Sequence, residues 1–242
     1  MRHVLARGLR AVARRLLPPP RRDLRAQIVH ADARASTFFQ AIEYVNFEAV
    51  EGDILECGVF GGLSLSLLAH GATFDPKGMT RRIVGVDTFT GLPPSEESHA
   101  RWEAGDCASI HGWHPLHKPG TPVTADLTRA LFAECRLEPP VLYEGRFDAV
   151  FPRIVPDPHR AIALLHVDCD LYESTRDVLE GVAPALQDGT LILFDDWFHY
   201  KGHPGRGEAR AFHEFLAAHP EWQAVHWRSY ATFCNAFILV RR

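Results

Sequence analysis

Two stretches of this chain carry more acid than a buried strand tolerates. "LLHVDCDLYEST", residues 164–175, leads an apolar run into Asp168 and Asp170, and "GTLILFDDWFHY", residues 189–200, leads another into Asp195 and Asp196. A carboxylate at the end of a buried run needs a proton, a cation or a donor partner. Asp168, Asp195 and Asp196 therefore make a candidate oxygen-only site for a hard divalent cation. Mg²⁺ suits it, because that ion takes octahedral oxygen ligands and keeps positions open for water or substrate. If the strand persists past Asp168, Asp170 lies on the same strand face and faces a substrate beside the ion. A helix cap or solvated turn is the competing reading of an Asp–Asp pair. The coincidence of two acidic strand tips favours the ion.

A second constellation is "LECGVFGG", residues 55–62, with Glu56, Gly58, Gly61 and Gly62 at a strand-to-helix turn. Glycines let backbone approach a ligand and open a helix beside it. In a dinucleotide fingerprint Glu56 would stand where the first glycine belongs, and a pyrophosphate would be repelled there. The sulfonium and amino groups of S-adenosylmethionine would not be, so the loop suits that cofactor better than NAD. Asp87, at the end of the next strand, can accept hydrogen bonds from both ribose hydroxyls. The plainer alternatives are a packing turn at the glycines and a turn cap at Asp87.

The elements that must position these residues alternate. A helix is expected over residues 35–50. "DILECG", "RRIVGVDTF", "PPVLYEG", "RAIALLHVDCD" and "DGTLILFDD" read as strands, with helical stretches at "GLSLSLLAHG", "TADLTRALFAEC", "FDAVFPRI", "ESTRDVLEGVAPALQ" and "GRGEARAFHEFLAAH". "WQAVHWRS" and "TFCNAFILVRR" follow as two strands too close for a helical crossover, hence a hairpin. This pattern predicts an α/β fold: a doubly wound, mostly parallel, Rossmann-like seven-stranded sheet with a C-terminal antiparallel hairpin. Ligands of such sheets bind beyond the carboxyl ends of the strands, where Glu56, Asp87, Asp168, Asp170, Asp195 and Asp196 all fall.

The 242 residues, 46% hydrophobic and 23% charged, suffice for one full core. No run of eighteen apolar residues predicts a membrane span. Residues 1–25 hold eight arginines against one aspartate, so the rest of the chain is acidic within a total of −4. An acidic body argues against nucleic acid as partner. The Arg-rich opening is read as a basic leader packed on the body or on a second subunit; a membrane-surface helix or transit-like peptide is the alternative. A homo-oligomer stays open, with the leader and the 35–50 helix as candidate contacts. The five cysteines form no CxxC pair, which points to reduced thiols and a cytoplasmic protein, with Cys57 and Cys169 as small buried residues. "HGWHPLH" places His111, His114 and His117 near Cys107, a zinc-like spacing, but the proline-broken loop is better read as a lid over the substrate. Arg206 and Tyr172 are weighed as acceptor contacts against plain structural roles.

Taken together, "GDILECGVFGGLS", "GVDTFTGLPP", "YEGRF", "HVDCDLYEST", "LILFDDW" and "PGRGEARAFHEF" resemble the macrocin O-methyltransferase (TylF-like) family, in order, over roughly residues 50–240. The resemblance implies a class I methyltransferase fold; the domain is placed at residues 35–242, after a basic leader at 1–34 that lies outside the resemblance. The resemblance also implies S-adenosylmethionine as donor and Mg²⁺-dependent O-methylation of a small-molecule hydroxyl. On that resemblance Asp168, Asp195 and Asp196 are the metal ligands and Asp170 is the catalytic base. The cofactor contacts are Glu56, Cys57, Gly58, Val59, Phe60, Asp87, Thr88, Phe89, Gly91, Gly145 and Asp168. A vicinal diol chelates an ion best, so a sugar or catechol-like acceptor from natural-product chemistry is expected. The first loop departs from the family pattern, with "VFGG" where a Trp–Arg pair is common. The rivals are a metal-independent methyltransferase, an NAD-dependent dehydrogenase and a non-catalytic binding domain.

Overall fold

The computed structural model describes residues 23–74, 81–97, 99, 101–155 and 161–242. Five strands run parallel: β1 (Asp53–Cys57), β2 (Ile83–Asp87), β3 (Val141–Glu144), β4 (Ile162–Val167) and β5 (Leu191–Phe194). The hairpin of β6 (Trp222–Tyr230) and β7 (Cys234–Arg241) joins them, with β7 antiparallel to both β5 and β6. The order across the sheet is β3-β2-β1-β4-β5-β7-β6. The expected seven-stranded, doubly wound sheet is therefore present.

The helices are α1 (Leu24–Ala31), α2 (Ala35–Phe47), α3 (Leu63–Ala72), α4 (Ala125–Glu134), α5 (Phe147–Ile154), α6 (Tyr172–Val182), α7 (His199–Gly202) and α8 (Gly207–Ala218). Strand side chains alternate between the faces, and the core divides accordingly. Ile54, Leu164, Leu191 and Leu193 pack with Phe38, Leu65 and Phe132 beneath α1–α4. Leu55, Leu165, Ile192 and Phe194 pack with Phe151, Leu179 and Phe212 beneath α5, α6 and α8. Each such side chain contributes about 1.5–3 kcal/mol by leaving water, which explains why the central strands read as unbroken apolar runs.

The packed body begins ahead of residue 35. Asp23 caps α1 by accepting from the Ala26 N–H (3.2 Å), Ile28 is buried, and Arg25 donates to the Cys135 carbonyl at 2.6 Å. Composition alone groups these residues with the leader; residues 1–22 of that leader lie outside the described residues. All five cysteines are free, with Cys57 and Cys169 buried. No described helix is long and apolar enough to cross a membrane.

β1 and β4 are adjacent, yet the chain leaves β1 for β2 on the other side. The crevice beyond their carboxyl ends is the ligand position of doubly wound sheets.

Candidate functional site

At the end of β1 the backbone must turn against β4. Asp168 N–H donates to the Cys57 carbonyl (2.9 Å), and Gly58 has φ +91°. A Cβ on Gly58 would fall 1.7 Å from the Asp168 carbonyl oxygen, so only glycine lets the two strand ends meet. The Asp87 carboxylate ties the neighbouring turn to this loop. Its Oδ2 accepts from the Val59 N–H (2.7 Å) and the Phe60 N–H (2.8 Å), and its Oδ1 from the Phe89 N–H (2.7 Å). A carboxylate has about four acceptor directions, so Asp87, with three taken by backbone N–H groups, keeps room for a further donor on the cleft side.

The acids gather beyond β4 and β5. One ligand-type group comprises His166, Asp168 and Asp195; another comprises Asp170, Asp196 and His199. The expected trio of Asp168, Asp195 and Asp196 is thus shared between two adjoining groups on one cleft. Asp170 is not aimed by a continuing strand. β4 stops at Val167, and Asp170 sits in the left-handed region (φ +61°), its N–H donating to Asp196 Oδ2 at 3.2 Å. Aspartate tolerates that region better than most residues.

Three partners of these acids had no signal in the sequence. Arg34, just ahead of α2, donates from Nη1 to Asp195 Oδ1 (2.9 Å) and Asp168 Oδ2 (3.2 Å). His166 points Nδ1 at Glu56 Oε1 (2.8 Å) and Nε2 at Asp195 Oδ1 (3.6 Å). Glu208, at the start of α8, accepts the Asp196 N–H at 2.9 Å. Arg34 stands among many arginines, His166 inside an apolar run and Glu208 in an ordinary helical stretch, so nothing local distinguishes them.

The charges are uneven. Burial opposes the charge on Arg34, but Asp195, Asp32 and Asp168 outweigh it and hold the guanidinium firmly charged. Burial likewise opposes a charged His166, yet the Asp195 carboxylate 3.6 Å away and the hydrogen bond to Glu56 raise it to about 10. Asp195 resists its own burial through Arg34 and His166 and stays well below the usual carboxylate range. The remaining acids are pushed up by burial and by one another: Asp168 beside Asp195, Asp170 and Glu208 beside Asp196, and Asp196 itself to about 7. The cluster holds more acid than Arg34 and His166 balance.

Asp168, Asp170, Asp195 and Asp196, the 58–61 loop and Asp87 line one cleft of about 420 Å³. Of the expected cofactor contacts, Gly58, Val59, Phe60, Asp87, Thr88, Gly91 and Asp168 are on its wall. Glu56, Cys57, Phe89 and Gly145 are not. Glu56 is wholly buried, since a side chain one residue inside the strand leaves perpendicular to the sheet and not along it. It faces its cross-strand neighbour His166 under Phe38. Its proposed electrostatic contact with a sulfonium is therefore corrected to a structural ion pair. Cys57 is enclosed and offers its carbonyl to Asp168 and Cys169, Phe89 is buried in the core, and Gly145 donates its N–H to the Asp87 carbonyl.

The histidine loop does not assemble a zinc site among the described residues. His114 Nε2 bonds the Gly61 carbonyl (3.1 Å), while its Nδ1 accepts from Leu116 and His117 N–H (both 3.2 Å), which fastens the loop to the glycine turn. Trp102, Cys107 and His111 of this loop line the cleft. Tyr172 and Arg206 do not; Tyr172 donates to Glu214 (2.6 Å) beneath Arg210, and Arg206 precedes α8.

The family model described as Macrocin-O-methyltransferase (TylF) matches residues 22–228. The chain belongs to that family. The match begins at the edge of α1, which brings α1 and Arg34 inside the family's own span. A tetracenomycin rhamnosyl 4'-O-methyltransferase of Streptomyces olivaceus is 33% identical over 64% of this chain and 57% of its own length. Demethyldecarbamoylnovobiocin O-methyltransferase of Streptomyces niveus is 29% identical over 68% of this chain and 60% of its own. The matched part thus spans under two thirds of either relative. Among solved structures, the calicheamicin methyltransferase CalS11 superposes with a TM-score of 0.66 at 26% identity, covering 92% of this chain and 87% of that one.

Proposed function

We propose that this chain transfers a methyl group from S-adenosylmethionine to a hydroxyl of a small sugar-bearing natural product, assisted by Mg²⁺. The observation that carries this reading is the convergence of two acidic strand tips with the 58–61 glycine loop on one cleft. Support comes from relatives named for methylating a tetracenomycin rhamnoside and a novobiocin precursor. The functional unit includes Arg34, one residue ahead of the expected domain start, because Arg34 completes the acid cluster. Family membership leaves the dehydrogenase alternative without support.

The donor set fits a hard cation: the acids are all oxygen ligands, and the raised proton affinities of Asp168 and Asp196 mark a shortage of positive charge. Asp168, Asp195 and Asp196 would hold the ion. When bound, it would lower the pKa of a coordinated hydroxyl and orient it. Asp170 then accepts the hydroxyl proton, with burial and Asp196 strengthening it as a base. The close backbone approach at Gly58 and the Asp87-held turn would cradle the methyl donor. In-line transfer needs the nucleophile about 3–3.5 Å from the methyl carbon. Trp102 lines the cleft and would offer the acceptor apolar indole surface.

A second reading has its own observation. Arg34 already bridges Asp168 and Asp195, so a guanidinium could serve in place of an ion. A methyl-transfer screen over vicinal-diol sugars and catechols, with radiolabelled S-adenosylmethionine, separates the two. The metal reading expects turnover with Mg²⁺ that EDTA abolishes. Turnover indifferent to EDTA would favour Arg34, and no turnover on any hydroxyl would refute the activity itself.

A further inference from the structure

We propose that Arg34 is a built-in competitor of the divalent cation: its Nη1 holds the position between Asp168 and Asp195, and the ion enters as that nitrogen withdraws. This rests on the metal reading above.

One nitrogen is shared by carboxylates from two strand tips, at 2.9 Å and 3.2 Å. A coordinated cation would draw on the same lone pairs, and like charges at that range repel strongly in a buried site. The rest of the guanidinium is anchored elsewhere. Nε donates to Asp32 Oδ1 (3.1 Å), Nη2 to Asp32 Oδ2 (2.9 Å), and the Arg34 N–H to Asp32 Oδ1 (2.8 Å). The carbon of the guanidinium lies 5.7 Å from the Phe38 ring centroid. The guanidinium is planar and rigid, so Nη1 leaves the acid pair only when the whole group moves, with Asp32 or away from it; Asp32 keeps the charge partnered in the first case. Arg34 therefore stabilises the metal-free tips and lowers their affinity for the ion by the same free energy, since coupling between two binding events is reciprocal. The apparent affinity falls with the fraction of molecules whose acid pair is open.

The test is the Kd of Mn²⁺, followed by electron paramagnetic resonance on the full chain without substrate, in wild type, Arg34→Gln and Arg34→Lys. Melting of each metal-free protein is recorded alongside. Competition expects Arg34→Gln to bind Mn²⁺ about tenfold tighter or more and to melt lower without metal. Arg34→Lys, with one ammonium and no fork, should fall between, and it decides the matter if Arg34→Gln does not fold. Wild-type binding that the variants leave unchanged or weaken overturns the competition alone. No Mn²⁺ binding by any of the proteins overturns the metal reading and the competition with it.

Discussion

Replacing His166 by leucine would strand a carboxylate in the core. Glu56 and His166 are wholly buried, face one another across β1 and β4, and meet at 2.8 Å. Removing one partner of a buried pair costs about 3–5 kcal/mol, because the other charge stays desolvated. At about 2–4 °C per kcal/mol for a chain of this size, His166→Leu should lower Tm by roughly 6–20 °C. The double variant Glu56→Leu/His166→Leu should recover most of that, since apolar replacement of a whole buried pair is often neutral. The pair also has a pH signature. His166 is raised from 6.5 to about 10, so its stabilisation is complete below 6.5 and is lost as pH rises through about 10. Asp195 contributes to that rise ahead of Glu56, so the signature belongs to His166 with both carboxylates. Denaturant melts of wild type and double variant at intervals from pH 6 to 10 check both points. A single variant that loses under ~1 kcal/mol, or a wild type whose stability tracks the double variant across that range, would refute the charged buried pair.

Asp170→Asn should cut kcat about 10²–10⁴-fold and leave the Kd of S-adenosylhomocysteine, measured calorimetrically, within about twofold; equal losses in both would make Asp170 a cofactor contact. Gly58→Ala should destabilise the fold by at least about 2 kcal/mol through φ strain and the clash with the Asp168 carbonyl, and an unchanged Tm would deny the close approach. Asp196 is raised to about 7, so the stability it contributes is present below about 4 and lost as pH rises through about 7. Metal-free protein should therefore melt lower at pH 8 than at pH 5, and Mg²⁺ should raise Tm more at pH 8. An equal Mg²⁺ effect at both values would place the ion away from Asp196.

Much of this site is legible before any coordinates. Apolar runs separated by helical periodicity imply parallel strands, and parallel strands send every carboxyl end to one edge. Asp87, Asp168, Asp170, Asp195 and Asp196 could be gathered on that argument alone, and all line the cleft. The glycine loop was equally readable, because a residue that must avoid a Cβ leaves its mark in the chain. Glu56 shows where the argument stops. It lies near a strand end, but one residue of register turns its side chain from the strand tip to the sheet face, and a partner 110 residues away takes it up.

The sequence by itself determined the fold class, the edge at which the cleft lies and the acids that collect there, since these follow from local periodicity and from which strand ends bear charge. Only the tertiary structure decided how those acids are balanced. Arg34, His166 and Glu208 come from three separate elements, and their meeting depends on the packing of α2 and α8 around the sheet. Electrostatic energy falls off with distance in space and ignores distance along the chain; no spacing within one segment could announce those partners.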